Sequence, residues 1–478
     1  MYDIVIIGAG VSGCMLAHKL ARYQLKTAVI EAGCDVASGA TRANSAIVHA
    51  GFDAESGTLK AKLNVDGCTE LPKIAAELDV PYRNNMSIVA AFSDEDVEKL
   101  RALYERGVKN GVKGLYIADR DEVHKLEPNL SDEVVAALVA PSAGIICPYE
   151  LTIACAENAA INGCEFFFDR RIDRVVDNGD YVTVGAGDFE LEARYVVNAA
   201  GVHSDELARL ADPDYPISLR ARRGEYMILD KSERSTCKAT IFTVPGKEGK
   251  GILVSPTVDG NIIVGPNAHE VERDDTSTTS AGLDEISRAA KRMFPNLNLR
   301  AVITSFAGVR PTPSDGEFHI EPSKTLPRML NLVGIESPGL ASSPAVADYA
   351  IDVLREMGVS FNERESWYQF RRPDGHMPKL FRELSDSEKA ELCKKDPTYG
   401  KIICRCETVT EGDILAAIHR PLGAKTIDMV KLRTRAGMGR CQGGFCLPRV
   451  ADILSRELDI PLDEITKRGG ESKIVVSR

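Results

Sequence analysis

A glycine-rich turn between a buried strand and a helix is the feature that most restricts the fold of this chain. Residues 2–7, Tyr-Asp-Ile-Val-Ile-Ile, form an apolar run interrupted only by Asp3, typical of a strand buried on both faces of a parallel sheet. Gly-Ala-Gly-Val-Ser-Gly follows at 8–13, and a helix is predicted over about Ser12–Tyr23. A second strand, Thr27–Ile30, ends at Glu31. The order predicts a βαβ unit of the dinucleotide-binding type within an α/β fold.

The residues of this turn suit a bound pyrophosphate. Gly8 and Gly10 have no side chain to keep phosphates away from the backbone, and Gly13 lets the helix pack close to the strand. The free N–H groups at the helix start favour an anion. Glu31, 18 residues after Gly13, can accept hydrogen bonds from a ribose diol. These features alone leave NAD and FAD open.

The next segment favours FAD. Residues 38–45, Ser-Gly-Ala-Thr-Arg-Ala-Asn-Ser, are small and polar. Such a segment can lie along a second length of phosphate and the ribityl chain, for which a nicotinamide enzyme has less need. FAD is therefore the expected cofactor.

Length and charge restrict the class of protein. A chain of 478 residues exceeds one hydrophobic core, so two or three domains are expected. A net charge of −11 gives no general attraction to nucleic acid or to an anionic membrane. The chain enters a strand directly after Met1 and has no apolar stretch of about 18 residues. We therefore expect a cytoplasmic protein with no integral membrane segment and no nucleic-acid partner.

The chain returns to the first sheet after a long insertion. Apolar strands ending in glycine are predicted at 195–201 and 329–334, and alternating segments between them indicate antiparallel strands. We expect a Rossmann-like FAD-binding domain with an inserted antiparallel-sheet substrate domain, followed by a small helical domain. The predicted boundaries are 1–80, 145–215 and 325–358 for the FAD-binding domain, 81–144 and 216–324 for the substrate domain, 359–400 for a connector, 401–460 for the small domain and 461–478 for a tail.

Four of the twelve cysteines are grouped near the end of the sequence. Cys404, Cys406, Cys441 and Cys446 give C-x-C, then 34 residues, then C-x₄-C. Structural zinc usually takes C-x₂₋₄-C pairs, so this spacing favours a [2Fe-2S] cluster, with zinc or unligated thiols as alternatives. The other eight cysteines are scattered and are expected to be small core residues.

The cysteine segment is basic within an acidic chain. Residues 401–450 contain nine Lys or Arg and four Asp or Glu, a difference of about +5. Positive surroundings favour the reduced cluster and can attract an acidic partner. A charged surface that is simply solvated is the alternative.

Two stretches resemble known families. Gly8 to Glu31, followed by Thr-Arg-Ala-Asn-Ser-Ala-Ile-Val-His-Ala-Gly-Phe at 41–52, resembles the D-amino-acid-oxidase-type flavoproteins over about residues 1–360. Within them, the glycerol-3-phosphate dehydrogenases and oxidases and the L-2-hydroxyglutarate dehydrogenases are most similar. The cysteine segment resembles bacterioferritin-associated-ferredoxin-like domains. Anaerobic glycerol-3-phosphate dehydrogenases carry such a domain, which implies a separate electron-accepting subunit and membrane contact, if any, through that partner.

The resemblance also implies the reacting residues. His49 occupies the position of a histidine that faces the flavin, so it is the expected base for a hydroxyl proton. Arg310 is the expected clamp for a phosphate or carboxylate. Lys250 would add a second positive charge at this site, with an exposed hairpin lysine as the alternative. Ser337 would donate a hydrogen bond to the same ligand.

Residues 334–343 resemble the late glycine-rich turn that closes over the flavin ring. A helix beginning near Ala341 would point its positive end at the flavin C2 carbonyl. The expected cofactor-binding residues are Gly8, Gly10, Val11, Ser12, Gly13, Glu31, Thr41, Arg42, Asn44, Ser45, Ile172, Ala200, Gly201, Gly334, Gly339, Leu340 and Ala341.

The leading hypothesis is an FAD-dependent dehydrogenase. It would oxidise glycerol 3-phosphate to dihydroxyacetone phosphate and pass electrons through a [2Fe-2S] cluster to a partner acceptor. An L-2-hydroxyglutarate or other 2-hydroxy acid dehydrogenase is the first alternative, because Arg and Lys bind phosphate and carboxylate alike. A flavin and iron–sulfur redox sensor or electron-transfer protein is the second, although such a protein needs no substrate domain.

Overall fold

The computed structural model describes residues 1–245, 251–367 and 379–475. None of the helices in these ranges is both long enough and apolar enough to cross a membrane. The strands are β1 Tyr2–Ile7, β2 Thr27–Ile30, β3 Ile47–Val48, β4 Tyr82–Arg83, β5 Ser87–Ala91, β6 Tyr116–Asp119, β7 Ala136–Ala140, β8 Gly144–Ile146, β9 Glu165–Phe167, β10 Arg174–Asp177, β11 Val182–Ala186, β12 Phe189–Asn198, β13 Leu219–Leu229, β14 Thr240–Thr243, β15 Leu253–Pro256, β16 Ile262–Gly265, β17 His269–Glu270, β18 Val302–Pro313, β19 His319–Pro322, β20 Met329–Val333, β21 Ile402–Cys404 and β22 Val409–Thr410. The helices are α1 Val11–Leu20, α2 Leu59–Glu77, α3 Asp94–Lys109, α4 Arg120–Leu126, α5 Pro148–Ile161, α6 Ser204–Ala211, α7 Ser280–Met293, α8 Gly339–Glu356, α9 Asp386–Lys395, α10 Glu411–His419, α11 Ile427–Thr434 and α12 Leu447–Leu458.

The apolar run at residues 2–7 is a central strand of the first sheet. β1 pairs in parallel with β2 and β12, and β9 and β20 extend the parallel part on either side. Ile4 and Ile6 are buried with α1, α5 and α8, whereas Val5 and Ile7 enter a second core on the opposite face. Because both faces are covered, residues 4–7 are all apolar, and the charged Asp3 lies at the start of the strand.

The predicted ends of two helices shift slightly. α1 ends at Leu20, earlier than the predicted Tyr23, because the amides of Arg22 and Tyr23 turn back to Lys19 and Leu20 and close the last turn. α8 begins at Gly339, two residues before Ala341. Neither change moves the turn that precedes the helix.

The second sheet confirms the inserted substrate domain. It has nine strands, with β5, β6 and β7 from the first insertion and β13 to β18 from the second. β5 and β14 pair in parallel, and the other pairs are antiparallel. β19 instead pairs with β20, so the first sheet resumes before residue 325. A small sheet of β3, β8 and β4 connects the two large ones in sequence.

The third domain includes segments that the sequence assigns to a connector and a tail. The N–H of Phe381 donates to the Asp413 carboxylate at 2.9 Å, and the buried Tyr399 ring lies against Gly412. Ile465 is fully buried in the core of α10 to α12. The sequence around these apolar side chains is polar and has no helical or strand periodicity. Only their contacts in the folded chain therefore assign them to the third domain.

Candidate active site and cluster site

A large cavity of about 1470 Å³ lies between the first two sheets. Its wall includes the β1–α1 turn, residues 38–47, parts of β13 and β18, and the turn before α8. Among the expected catalytic residues, it contains His49, Arg310 and Ser337. The expected cofactor-binding residues in its wall are Gly8, Gly10, Val11, Ser12, Glu31, Thr41, Arg42, Asn44, Ser45, Ile172, Ala200, Gly201, Gly339 and Leu340.

Three expected cofactor-binding residues lie behind the wall. A side chain at Gly13 would stand 2.0 Å from the Gly8 carbonyl oxygen, so Gly13 sets the packing of α1 on β1. The carbonyl of Ala341 faces Gly67 of α2, and Gly334 turns with a φ of +74°. Their effect on a cofactor is therefore through the backbone around it. Lys250 lies outside the described residues.

Glu31 lies in the wall beside the glycine turn. Its carboxylate accepts hydrogen bonds from the N–H groups of Ala9 at 2.8 Å and Gly33 at 2.7 Å. Burial raises the pKa of Glu31, and the N–H groups of Gly33 and Ala9 oppose that rise. A carboxylate held in this position suits the ribose diol of an adenosine group.

Residues 40–46 are held against the start of α1. The N–H of Val11 donates to the Thr41 hydroxyl at 3.0 Å. The Asn44 side chain donates to the Thr41 carbonyl at 2.7 Å and accepts from the Ala46 N–H at 2.8 Å. Ser45 lies 3.2 Å from the Tyr226 hydroxyl. The segment thus forms a polar, preorganised wall that fits the extended FAD molecule.

The start of α8 provides a positive helix end at the same cavity. No side chain of the described residues caps this N-terminus, and its first turn contains no acid. Ser337, Gly339 and Leu340 lie in the cavity wall. The N–H of Gly339 donates to the Glu336 carbonyl, so it is the other N–H groups of the first turn that can stabilise a group gaining negative charge on reduction.

His49 and Arg310 are positioned by different sheets. His49 directly follows β3; its backbone carbonyl accepts from Asn64 at 2.8 Å, and its ring lies 5.9 Å from the Phe242 ring. Arg310 lies on β18 and donates to the Asn267 carbonyl at 2.6 Å. Its guanidinium occupies the space beside Gly224, where a side chain would come within 2.5 Å of it. The fold thus brings an imidazole and a guanidinium into one cavity.

Arg222 is a cavity residue that the sequence analysis missed. It is the register partner of Arg310 in the β13–β18 pair, and both residues lie in the cavity wall. Directly opposite residues of antiparallel strands have their side chains on the same face. The alternation of β13 indicates which residues share a face, but only the pairing register places Arg222 beside Arg310.

The four grouped cysteines come together as two pairs. The Cys406 and Cys441 sulfurs are 3.7 Å apart. A hydrogen bond from Cys446 lowers the pKa of Cys404 to about 6, and this favours the thiolate that ligates metal. A side chain at Gly439 would come within 2.2 Å of the Cys406 Cβ, so the loop closes tightly over the thiols. Two thiolates for each of two irons is the ligand pattern of a [2Fe-2S] cluster. Within the described ranges, no three His, Cys, Asp or Glu side chains converge as the ligands of one ion.

Much of the basic charge near the cysteines is used within the chain. Arg435 donates to Asp259 at 2.6 Å and to Glu407 at 3.0 Å. Further pairs with acids outside the cysteine domain are Arg420–Glu157 at 2.5 Å, Arg433–Asp35 at 2.7 Å and Arg440–Asp230 at 2.9 Å. These contacts dock the cysteine domain onto the other two domains. The positive excess is therefore less available to a partner than the count of basic residues indicates.

Comparison with known proteins agrees with this geometry. Residues 3–353 match the family of FAD dependent oxidoreductases, and residues 402–456 match the BFD-like [2Fe-2S] binding domain. A glycerol 3-phosphate dehydrogenase of Caloramator mitchellensis is 45% identical over 468 residues, which cover 98% of this chain and 96% of the relative. A glycerol 3-phosphate oxidase of Mycoplasma genitalium is 31% identical over 74% of this chain and 94% of the relative.

A solved structure shows the same architecture. The dithionite-reduced L-α-glycerophosphate oxidase from Mycoplasma pneumoniae, with FAD bound, superposes with a TM-score of 0.72 at 28% identity. The match covers 77% of this chain and 97% of that chain. The chain therefore belongs to the FAD-dependent oxidoreductases of the D-amino-acid-oxidase type and carries a [2Fe-2S]-binding domain in addition.

Proposed function

We propose that this enzyme is a glycerol-3-phosphate dehydrogenase that passes its electrons through the [2Fe-2S] cluster to a protein acceptor. The observation that carries the proposal is the meeting of His49, Arg310 and Ser337 in the cavity that fits FAD. The relative from Caloramator mitchellensis, which bears the name glycerol 3-phosphate dehydrogenase, matches nearly the whole chain, including the cluster domain.

The chain supplies a base and an anion site. When bound, FAD supplies the hydride acceptor and the cluster supplies a one-electron carrier. His49 takes the proton of the substrate's secondary hydroxyl, which favours loss of the hydride from the same carbon and leaves dihydroxyacetone phosphate. Arg310 binds the phosphate and fixes the distance between that carbon and the base. Ser337, which lies in the same cavity wall, would donate a hydrogen bond to the bound anion.

The neighbouring arginines favour phosphate over carboxylate. Arg222 and Arg310 face the cavity from adjacent strands in register. Two nearby guanidinium groups are best matched by a phosphate, which carries up to two charges and three terminal oxygens. Each of the two carboxylates of L-2-hydroxyglutarate has only one charge and two oxygens, so neither would match the pair of guanidinium groups as well as the phosphate does.

An anaerobic titration of flavin absorbance tests the substrate. We expect glycerol 3-phosphate to bleach the flavin, with L-2-hydroxyglutarate far less effective and glycerol, which lacks an anion, inactive. Bleaching by L-2-hydroxyglutarate but not by glycerol 3-phosphate would instead support the hydroxy acid dehydrogenase. If no hydroxylated anion bleaches the flavin, the redox sensor becomes the better proposal.

Replacement of Cys406 by serine tests the electron route. Because Cys406 is an exposed member of a thiol pair, its loss should remove the cluster without disturbing the cavity. We expect the variant to lose its iron and its reduced-cluster paramagnetic signal, to keep substrate-dependent bleaching, and to stop reducing a protein acceptor. Cys393→Ser, outside the cluster group, is the control. Wild-type transfer to the acceptor by the Cys406 variant would show that electrons leave by another route.

The proposed acceptor docks where the cluster domain is exposed. Phe445, next to Cys446, is 83% exposed; Arg405, between Cys404 and Cys406, and Arg449, three residues after Cys446, are exposed as well. An exposed aromatic ring and guanidinium groups next to the cluster cysteines suit an acidic protein surface. Any contact of this protein with a membrane would be through that acceptor.

The docking face is tested with an acidic flavodoxin as acceptor. In Arg405→Glu/Arg449→Glu, we expect reduction of flavodoxin at low salt to slow by about tenfold or more, because electrostatic steering is lost. Reduction of a small neutral dye should not change. Arg456→Glu, on the same helix as Arg449 but paired with Glu411 and Glu457, is the control. If Arg405→Glu/Arg449→Glu reduces flavodoxin at the wild-type rate, the electrons leave the protein at another surface.

A further inference from the structure

The loop after β2 contacts two domains. Glu31, Gly33 and Ser38 lie in the cavity wall, whereas Cys34 and Asp35 face the C-terminal domain. Whatever fixes the middle of this loop therefore also fixes the carboxylate expected to hold the cofactor's ribose.

Asp35 forms a bidentate ion pair with Arg433 of α11. The two guanidinium nitrogens lie 2.7 and 2.8 Å from the two carboxylate oxygens, and the side chains are 0% exposed for Arg433 and 6% for Asp35. Arg433 also donates to the carbonyls of Leu422 at 2.9 Å and Met429 at 3.2 Å. A buried pair with this geometry fixes both partners, because either charge alone would be buried without compensation.

A second contact holds the same loop. The Cys34 thiol donates to the Arg468 carbonyl at 3.0 Å, and a side chain at Gly469 would come within 2.7 Å of the Cys34 Cβ. The segment around Arg468 is attached to the start of α11, since the N–H of Asp428 donates to the Lys467 carbonyl at 2.8 Å. α11 and residues 466–473 thus form one surface against the loop.

We propose that the [2Fe-2S] domain is a structural part of the FAD site, and that Arg433 is a positioning residue for the cofactor. Arg433 holds Asp35, and Asp35 holds the loop in the conformation in which Glu31 accepts from Ala9 and Gly33. Without the ion pair, binding FAD must also order the loop, and this cost weakens the affinity. The proposal does not depend on which anion the enzyme oxidises.

The test measures FAD affinity in the full-length, cluster-containing protein after removal of the flavin. Arg433→Met and Asp35→Asn should each raise the dissociation constant of FAD about tenfold or more, as measured by quenching of flavin fluorescence. The double variant should be no weaker than either single one, because both changes remove the same pair. Arg433→Lys keeps the charge and should recover part of the affinity.

The control is a second buried pair between the same two parts of the molecule. Arg420 pairs with Glu157 on α5, a helix that contributes no residue to the cavity wall, and the two side chains are 5% and 0% exposed. Arg420→Met should lower the unfolding temperature as Arg433→Met does, but leave FAD affinity unchanged. Equal loss of affinity in Arg420→Met, or wild-type affinity in Arg433→Met, would overturn the proposal. If Arg433→Met does not fold, Asp35→Asn and Arg433→Lys decide the question.

Discussion

Replacement of His49 by alanine is expected to leave FAD bound and to slow flavin reduction by glycerol 3-phosphate about 10²–10⁴-fold, the usual contribution of a positioned base. His49 lies in the cavity wall with its ring 5.9 Å from Phe242. Its loss removes the acceptor for the hydroxyl proton, while the glycine turn and the Glu31 carboxylate expected to hold the nucleotide are unchanged. Anaerobic stopped-flow absorbance measures the rate directly.

The control for this prediction is another histidine of the same cavity. His203 lies in the cavity wall, and its Nδ1 is 2.8 Å from the Glu206 carboxylate. We assign His203 no part in the chemistry. The flavin of His203→Ala should therefore be reduced by glycerol 3-phosphate at nearly the wild-type rate. Rapid bleaching in His49→Ala would remove His49 from the mechanism, and a base would have to be sought elsewhere in the cavity.

Replacement of Arg310 by methionine is expected to lower kcat/KM for glycerol 3-phosphate. The decrease should correspond to a loss of about 2–5 kcal/mol of transition-state stabilisation, because the substrate phosphate loses a paired cation in a partly desolvated site. Arg310→Lys keeps a charge but loses the planar fork of the guanidinium, so its kcat/KM should lie between those of the wild type and Arg310→Met. Initial rates with an artificial dye, measured over a range of substrate concentrations, give both kinetic constants.

Arg220→Met is the matched control for Arg310→Met. Arg220 lies on β13 two residues before Arg222, and it pairs with Glu270 at 2.9 Å on the exposed surface. Its loss should leave kcat/KM unchanged. If both substitutions lower kcat/KM equally, the decrease is caused by disturbance of the sheet, and Arg310 does not bind the anion.

Features that depend on neighbouring residues could be predicted from the sequence. The run at 2–7, the glycine turn and Thr27–Ile30 predict β1, the α1 start and β2 with little error, because apolar period and backbone freedom are local properties. The spacing of the four cysteines likewise predicts that they belong to one metal site, but only the folded domain pairs Cys406 with Cys441 and Cys404 with Cys446. The family resemblance then adds His49 and Arg310, whose roles no local pattern could supply.

Tertiary structure decided what depends on distant pairing. Arg222 becomes a site residue only through its register with Arg310, and a shift of one residue would turn its side chain to the opposite face. Asp35 and Arg433 are 398 positions apart, and each by itself is an ordinary charged residue in polar text. Sequence periodicity specifies which face of an element is buried, but not which other element covers it. The sequence therefore determined the cofactors and the fold class, whereas the docking of the cluster domain on the FAD loop could be found only from the folded chain.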